Sequence, residues 1–408
     1  MPVRKSLVGV AAVALAFAMT TGCKSSKPEH PAQPQAAKAA APEVGGLPVV
    51  KVSRQETPNL NTPQFLSLTV MPGRGMNVYQ ITADFPGLGE IPVLWAPSLE
   101  TVANRMNGGP MDYDGNASFT CCGAFLVPYP NRILGKLSAD KKTITTSWHG
   151  HKLVLPANWH NTLHPTQDLH AMHGLILNTQ VPDVHTHDIP GGKSITATLD
   201  AGDFGGHWLS KTKLHWNLSI TADAFDAEVT ATNVGKVAEP IAIGWHPYFH
   251  IPSGQHAQAR LHVPGPRYAQ VNNYYDVFPT GKLLPVKGTK KDFLAADGAP
   301  LDHMHIDDNW SNLQRTDGKV VVRLTDPASD YGVEEEGLSP HIKTVQVYTT
   351  KDAPFVAIEE QFNYNDPFGK EWHGLNTGMV TLQPGKSVTW HVRVKLFQPS
   401  KEKAATAK

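Results

Sequence analysis

The sequence predicts an all-β protein built as one large antiparallel β-sandwich. Three observations carry this prediction. Apolar residues recur at every second position in several separate stretches, which turns one face of each toward a core and the other toward solvent. Turn-forming clusters separate those stretches, in a chain with 34 Gly and 33 Pro. Charged residues make up only 18% of the chain, which suits strands and loops better than long solvated helices. The 408 residues are enough to bury a large core without disulfide staples, and three cysteines are too few for a disulfide scaffold. Lys+Arg 36 balances Asp+Glu 36, so the basic excess of a nucleic-acid binder is missing.

Residues 1–22 read as an address. A basic start (Arg4, Lys5) leads into an apolar run over residues 7–19 and then Thr20-Thr21-Gly22-Cys23. This is the pattern of a secretory signal peptide, and the apolar run is shorter than the ~20 residues that span a membrane. The small residues ending at Cys23 resemble a bacterial lipobox, with Thr20 where Leu is usual. The expectation is an exported chain, lipidated at Cys23 and held at a bacterial membrane facing the periplasm. Residues 23–45, rich in Lys, Ser, Pro, Ala and Gln, read as a disordered tether. Residues 46–398 read as the sandwich, and residues 399–408 as a frayed tail.

Within the sandwich, alternation marks Leu66/Leu68/Val70, Leu214/Trp216/Leu218/Ile220 and Val345/Val347. It is clearest at Val388, Trp390, Val392, Val394 and Leu396. Turns are expected at Pro72-Gly73-Arg74-Gly75 and Pro190-Gly191-Gly192, and a short helix at residues 99–107.

Four segments carry chemistry-bearing side chains: Asn131-Arg132-Ile133, His173-Gly174, His246-Pro247-Tyr248-Phe249 and Glu359-Glu360-Gln361. Each alone fits an ordinary turn, loop histidine or strand end. In this order, over roughly residues 60–397, they resemble the aldose 1-epimerase (mutarotase) family, whose fold is the galactose mutarotase-like β-supersandwich. The resemblance implies interconversion of aldose anomers by ring opening and reclosure. It implies Glu359 as the base at the anomeric hydroxyl and His246 as the acid at the ring oxygen. It further implies His173, Arg132 and Asn131 as sugar-binding residues, with an aspartate near the final strands. Asp307 is the first choice and Asp302 the rival. A carboxylate and an imidazole suit this chemistry, because it needs one proton removed and one delivered near neutral pH. A raised Glu pKa and a His near seven would fit. The chemistry requires no metal or redox cofactor, and the expected partners are a small sugar and, through the lipid only, a membrane.

Three positions depart from the resembled pattern: Leu175 after His-Gly, Glu360 between Glu and Gln, and His250-Ile251 after His-Pro-Tyr-Phe. A one-residue register change would exchange Glu359 for Glu360 as the base. A non-catalytic carbohydrate-binding lipoprotein is the alternative function. His149/His151, His185/His187 and His303/His305 each offer two imidazoles to one side of a strand, with His164 and His170 also in the chain, but no Cys ligands or His-Glu-x-x-His helix accompany them. Cys121-Cys122 read as two buried thiols, because adjacent residues bring Cα atoms closer than an ordinary disulfide wants. Of the aromatics, Trp159, Trp208, Trp245, Trp310 and Trp372 are candidates for sugar-stacking platforms.

Overall fold

The strongest alternations become strands of one sheet that turn the same apolar face to the core. In the computed structural model, which describes residues 41–58, 60–159 and 169–406, Leu214, Trp216, Leu218 and Ile220 lie on the strand Thr212–Ile220, and all are fully buried. Val388, Trp390, Val392 and Val394 line the same face of Ser387–Phe397. Both strands belong to a nine-stranded sheet, separated by Phe225–Asn233. Opposite it lies a seven-stranded sheet in which Ile306–Ser311, Thr344–Thr349, Phe355–Gln361 and Gly244–His250 follow one another, with Gly123–Leu126 at the edge beside the last. Every pairing within the two sheets is antiparallel. Phe125 of the seven-stranded sheet joins the two layers, with ring centroids 6.4 Å from Trp216 and 6.2 Å from Trp390. A third sheet of four strands includes Gln64–Met71 and Asn77–Phe85.

Period two then sorts each central strand between core and outer face. Along Gly244–His250, Trp245 and Phe249 point into the core, while His246 and Tyr248 point the other way into a cavity. Along Phe355–Gln361, Val356 and Ile358 join the core, whereas Phe355 and Glu359 line that cavity. The helix Leu99–Arg105 forms where expected, with Ser98 capping the backbone N–H of Thr101. Cys121 and Cys122 are both buried and unbridged.

Several expectations are corrected. A register shift between Phe65 and Ser67 breaks the Leu66/Leu68/Val70 row, so that Phe65 is buried and Leu66 only half-buried. The packed chain starts before residue 46: Glu43–Val44 pairs with Leu47–Pro48, and Val44 is buried. The C-terminal segment forms a helix, Pro399–Thr406, rather than a frayed tail. Asp330 holds its first turn through the Ser400 N–H and hydroxyl, and Arg323 pairs with Glu402. Cys23, the leader, His164 and most of the tether lie outside the described residues. No helix among the described residues is long and apolar enough to cross a membrane.

Candidate active site

The seven-stranded sheet delivers the polar residues by register. Asp307 pairs with Tyr348, and Gln346 pairs with Glu359, across neighbouring strands. Tyr248 pairs with Ala357, and the same register two residues on sets His246 against Glu359. The Nε2 of His246 lies 3.2 Å from Oε1 of Glu359, and both residues are almost wholly buried. The other carboxyl oxygen of Glu359 accepts a bond from Nε2 of Gln361 at 2.5 Å.

A second group of residues enters from the loops beside the sheet. The backbone N–H of Asn131 donates to Nδ1 of His173 (3.1 Å), and the N–H of His173 donates back to the Asn131 carbonyl (2.9 Å). His173 takes a left-handed conformation (φ 61°), and Gly174 follows at φ 87°. A Cβ at Gly174 would stand 2.3 Å from the Val127 carbonyl oxygen, so glycine is a steric requirement at this turn. Arg132 donates to Oδ1 of Asn131 at 3.0 Å and to the Asp307 carboxylate at 3.2 Å. Gln346 ties this group to the sheet. It donates to Asp307 (2.6 Å) and accepts from the side-chain amides of Asn131 (3.1 Å) and Asn309 (3.2 Å).

Glu359, His246, His173, Asn131, Arg132, Asp307 and Gln346 line one cavity of about 190 Å³. Aromatic rings form two of its walls. Phe119 packs on Trp159 (5.0 Å between centroids) and on His173 (4.7 Å). Phe355 packs on Trp95 (4.8 Å) and Tyr248 (4.9 Å).

Burial sets the protonation of the central pair. It pushes Glu359 well above the usual carboxyl range, an effect increased by the charge of Asp307 and opposed by Arg132 and the Gln361 bond. Burial pushes His246 down to about 3, and Arg132 acts in the same direction. The expected imidazole value near seven is therefore corrected: removal from water penalises the imidazolium more than its neighbours restore it. Burial thus favours the uncharged form of both groups, with the shared proton on the carboxyl. Burial also lowers His173 well below its ordinary value, with His246 and Arg132 adding to the effect. His173 is thus neutral, and because its Nδ1 accepts from Asn131, its ring proton resides on Nε2.

Ligand atoms of His173, His246 and Glu359 lie within 4.8 Å of one another, close enough to consider a metal. The Nε2 proton of His173 makes that ring a donor there, which does not fit a metal ligand. The other histidine pairs are mostly divided by turns. His149 sits in a turn at φ 47° and stacks on Trp148, while His151 begins the next strand. His303 lies in a turn (φ 56°) bonded to Asp352, and His305 faces Tyr274 instead. Only His185 and His187 share a strand, and each is bonded elsewhere, to Asp183 and Thr196 respectively.

The structure thus brings Glu359, His246, His173, Arg132, Asn131 and Asp307 together. Asp302, the rival to Asp307, is exposed in a turn at φ 46°. Glu360 faces the core, away from the cavity, with its backbone carbonyl accepting from Trp390. Leu175 and His250 also lie outside the cavity wall, so the departures from the resembled pattern leave the lining untouched. Of the five candidate tryptophans only Trp159 lines it; Trp208, Trp245, Trp310 and Trp372 are buried elsewhere. Sequence reasoning missed Gln346, Trp95 and Tyr348. Gln346 and Tyr348 alternate with Val345 and Val347 along one strand, and that alternation was the available signal.

The chain resembles known proteins in sequence profile and in fold. Residues 90–395 match the sequence profile described as aldose 1-epimerase. No curated protein sequence matches the chain significantly. Among solved structures, the chain is similar to a galactose mutarotase-like protein from Clostridium acetobutylicum (TM-score 0.65, 17% identity, covering 81% of this chain and 92% of that one). It is also similar to an aldose epimerase homologue from C. elegans (TM-score 0.63, 14% identity, 86% and 98% covered). A galactose 1-epimerase from Lactobacillus acidophilus NCFM gives a TM-score of 0.57 at 14% identity, with 86% and 99% covered.

Proposed function

Because the chain belongs to the aldose 1-epimerase family, we propose that it interconverts the α and β anomers of an aldose, with Glu359 and His246 as the proton-transfer pair. The observation that carries this reading is the buried 3.2 Å approach of Glu359 to His246 at the floor of an aromatic-walled cavity.

The chemistry needs one proton on the pair, in either of two places. In the form that opens the ring, Glu359 is ionised and His246 protonated. Glu359 takes the proton of the anomeric hydroxyl while His246 gives its proton to the ring oxygen. The C1–O5 bond breaks, and the aldehyde forms. Glu359 now carries the proton and His246 is neutral, which is the distribution that burial favours. Rotation about C1–C2 exposes the other carbonyl face. Glu359 returns its proton to the carbonyl oxygen as the ring hydroxyl adds to C1 and passes its own proton to His246. Atoms and protons balance, and the protein ends as it began. Asp307, Arg132 and the Nε2–H of His173 are positioned to bind hydroxyls, and the rings suit the apolar faces of a pyranose.

Polarimetry of freshly dissolved α-glucose and α-galactose tests the proposal. Acceleration that vanishes in Glu359→Gln is the expected result. No acceleration with either sugar, together with retained sugar binding by calorimetry, would favour a non-catalytic carbohydrate-binding role.

We further propose that the chain is exported and lipid-anchored through Cys23, on the strength of the leader pattern and lipobox-like ending. Cells given labelled palmitate should label the full chain and leave Cys23→Ser unlabelled. Equal labelling, or none, sinks the anchor.

A further inference from the structure

The aromatic lining does not stop at the cavity. Tyr348, in the wall, meets His305 edge-on at 6.2 Å between centroids, and His305 meets Tyr274 edge-on at 5.6 Å. The order follows from the sheet. Asp307 is the register partner of Tyr348, and His305, two residues earlier, falls on the same face as Asp307. Tyr274 comes from the loop before Pro279–Pro285 and closes the row. His305 is exposed, and Tyr274 is 40% exposed.

Tyr274 is nevertheless held in place. Its hydroxyl donates to both oxygens of the buried Asp308 carboxylate, at 2.9 and 3.1 Å. Lys291 pairs with the same carboxylate and lies 4.4 Å over the ring of Tyr268. An exposed ring with an anchored hydroxyl presents a fixed apolar face without paying rotamer entropy on binding. Lys291 and Asp308 cancel each other's charge, so the row has no net charge with which to recruit an ionic ligand. A neutral, hydroxyl-rich molecule with flat apolar faces fits such a row, and the row continues the wall of a cavity read as binding one sugar ring.

We propose that Tyr348, His305 and Tyr274 form a second sugar subsite, and that the substrate is an oligosaccharide presenting its reducing end to Glu359 and His246. The proposal rests on the epimerase reading for its catalytic half, and the test separates the two. KM for anomer interconversion is compared for freshly dissolved β-glucose and β-maltose, with α-lactose as a second disaccharide. For at least one disaccharide, KM falls about three- to tenfold below that for glucose, the range one stacking contact supports. The KM ratio drops toward one in Tyr274→Ala and in His305→Ala, and it survives in Tyr274→Phe, which keeps the ring. A ratio near one in the unaltered chain, or a ratio indifferent to both alanine variants, overturns the subsite. If no sugar is interconverted, the epimerase reading fails by itself. Calorimetry of maltotriose with the full chain then decides the subsite. Binding weakened by both alanine variants upholds it, and absent or unaffected binding overturns it.

Discussion

Glu359 and Glu360 are adjacent, equally buried, and both pushed upward in pKa chiefly by burial, yet they occupy opposite worlds. Glu359 looks into the cavity, with His246 at 3.2 Å and Gln361 at 2.5 Å. Glu360 looks into the core toward Glu335, and the backbone N–H of Gly337 and the charge of Arg315 only partly oppose the effect of its burial. A raised carboxyl pKa is therefore no signature of catalysis by itself. What distinguishes Glu359 is access to an empty volume and a partner that can trade a proton with it.

The largest expected effect tests that distinction directly. Glu359→Gln should lower kcat by about 10²–10⁴-fold, the usual worth of a positioned acid–base group. Glu360→Gln should keep kcat within a few-fold of the unaltered chain. Reversed outcomes in the same polarimetric assay would move the base to Glu360 and overturn the strand register described above.

The second effect is set by pH. With His246 pushed down to about 3, the pair takes up a second proton only as pH falls through that value. Glu359 is then protonated beside an imidazolium and has no capacity to accept. The acid limb of kcat/KM is accordingly expected near pH 3, with about a tenfold loss per unit below it. A limb near 6.5, the ordinary imidazole value, would show that His246 is better solvated than its burial implies. The alkaline limb reports loss of the Glu359 proton and lies above the ordinary carboxyl range.

Gln361 should matter less. It shares the cavity face of its strand with Glu359 and donates to the oxygen that His246 does not contact. Gln361→Ala frees that oxygen, and a loss of about two- to tenfold in kcat is expected, the worth of one hydrogen bond. A change in KM with kcat untouched would instead make Gln361 a sugar ligand.

How much of this was legible in advance varies with the distance over which each feature is encoded. The core faces of the strands with Trp216 and Trp390 were readable, because period two is a local property. The bulge at Phe65–Ser67 was not, since it depends on the partner strand. Asp307 and Asp302 looked alike as letters; only the turn at Asp302 and the strand at Asp307 separate them. For Gln346 the alternation with Val345 and Val347 gave only the face it takes, because its three partners lie on other segments of the chain. The helix Pro399–Thr406 was read as a tail because its residues are polar, and what holds it are side chains of Asp330 and Arg323 far back in sequence.

The smallest effect sharpens the contrast between the two glutamates through stability rather than rate. Burial raises Glu360, with the neighbouring Glu335 adding to the shift, while Arg315 opposes it but is already bonded to the carbonyls of Ser339 and Ile342. An unfolded glutamate titrates near 4.3. The folded chain therefore holds this proton longer than the unfolded chain does, so the associated stability is complete below about pH 4.3 and declines as pH rises toward the folded value. Glutamine has nearly the same shape and nothing to titrate. Glu360→Gln should melt close to the unaltered chain at pH 4 and a few degrees above it at pH 8. Glu359→Gln changes the pH dependence of rate, whereas Glu360→Gln should change the pH dependence of melting alone. Identical melting of the Glu360→Gln and unaltered chains at both pH values would mean that the inner carboxyl has a compensating partner, and the contrast with Glu359 would then rest on the cavity and not on the bonds.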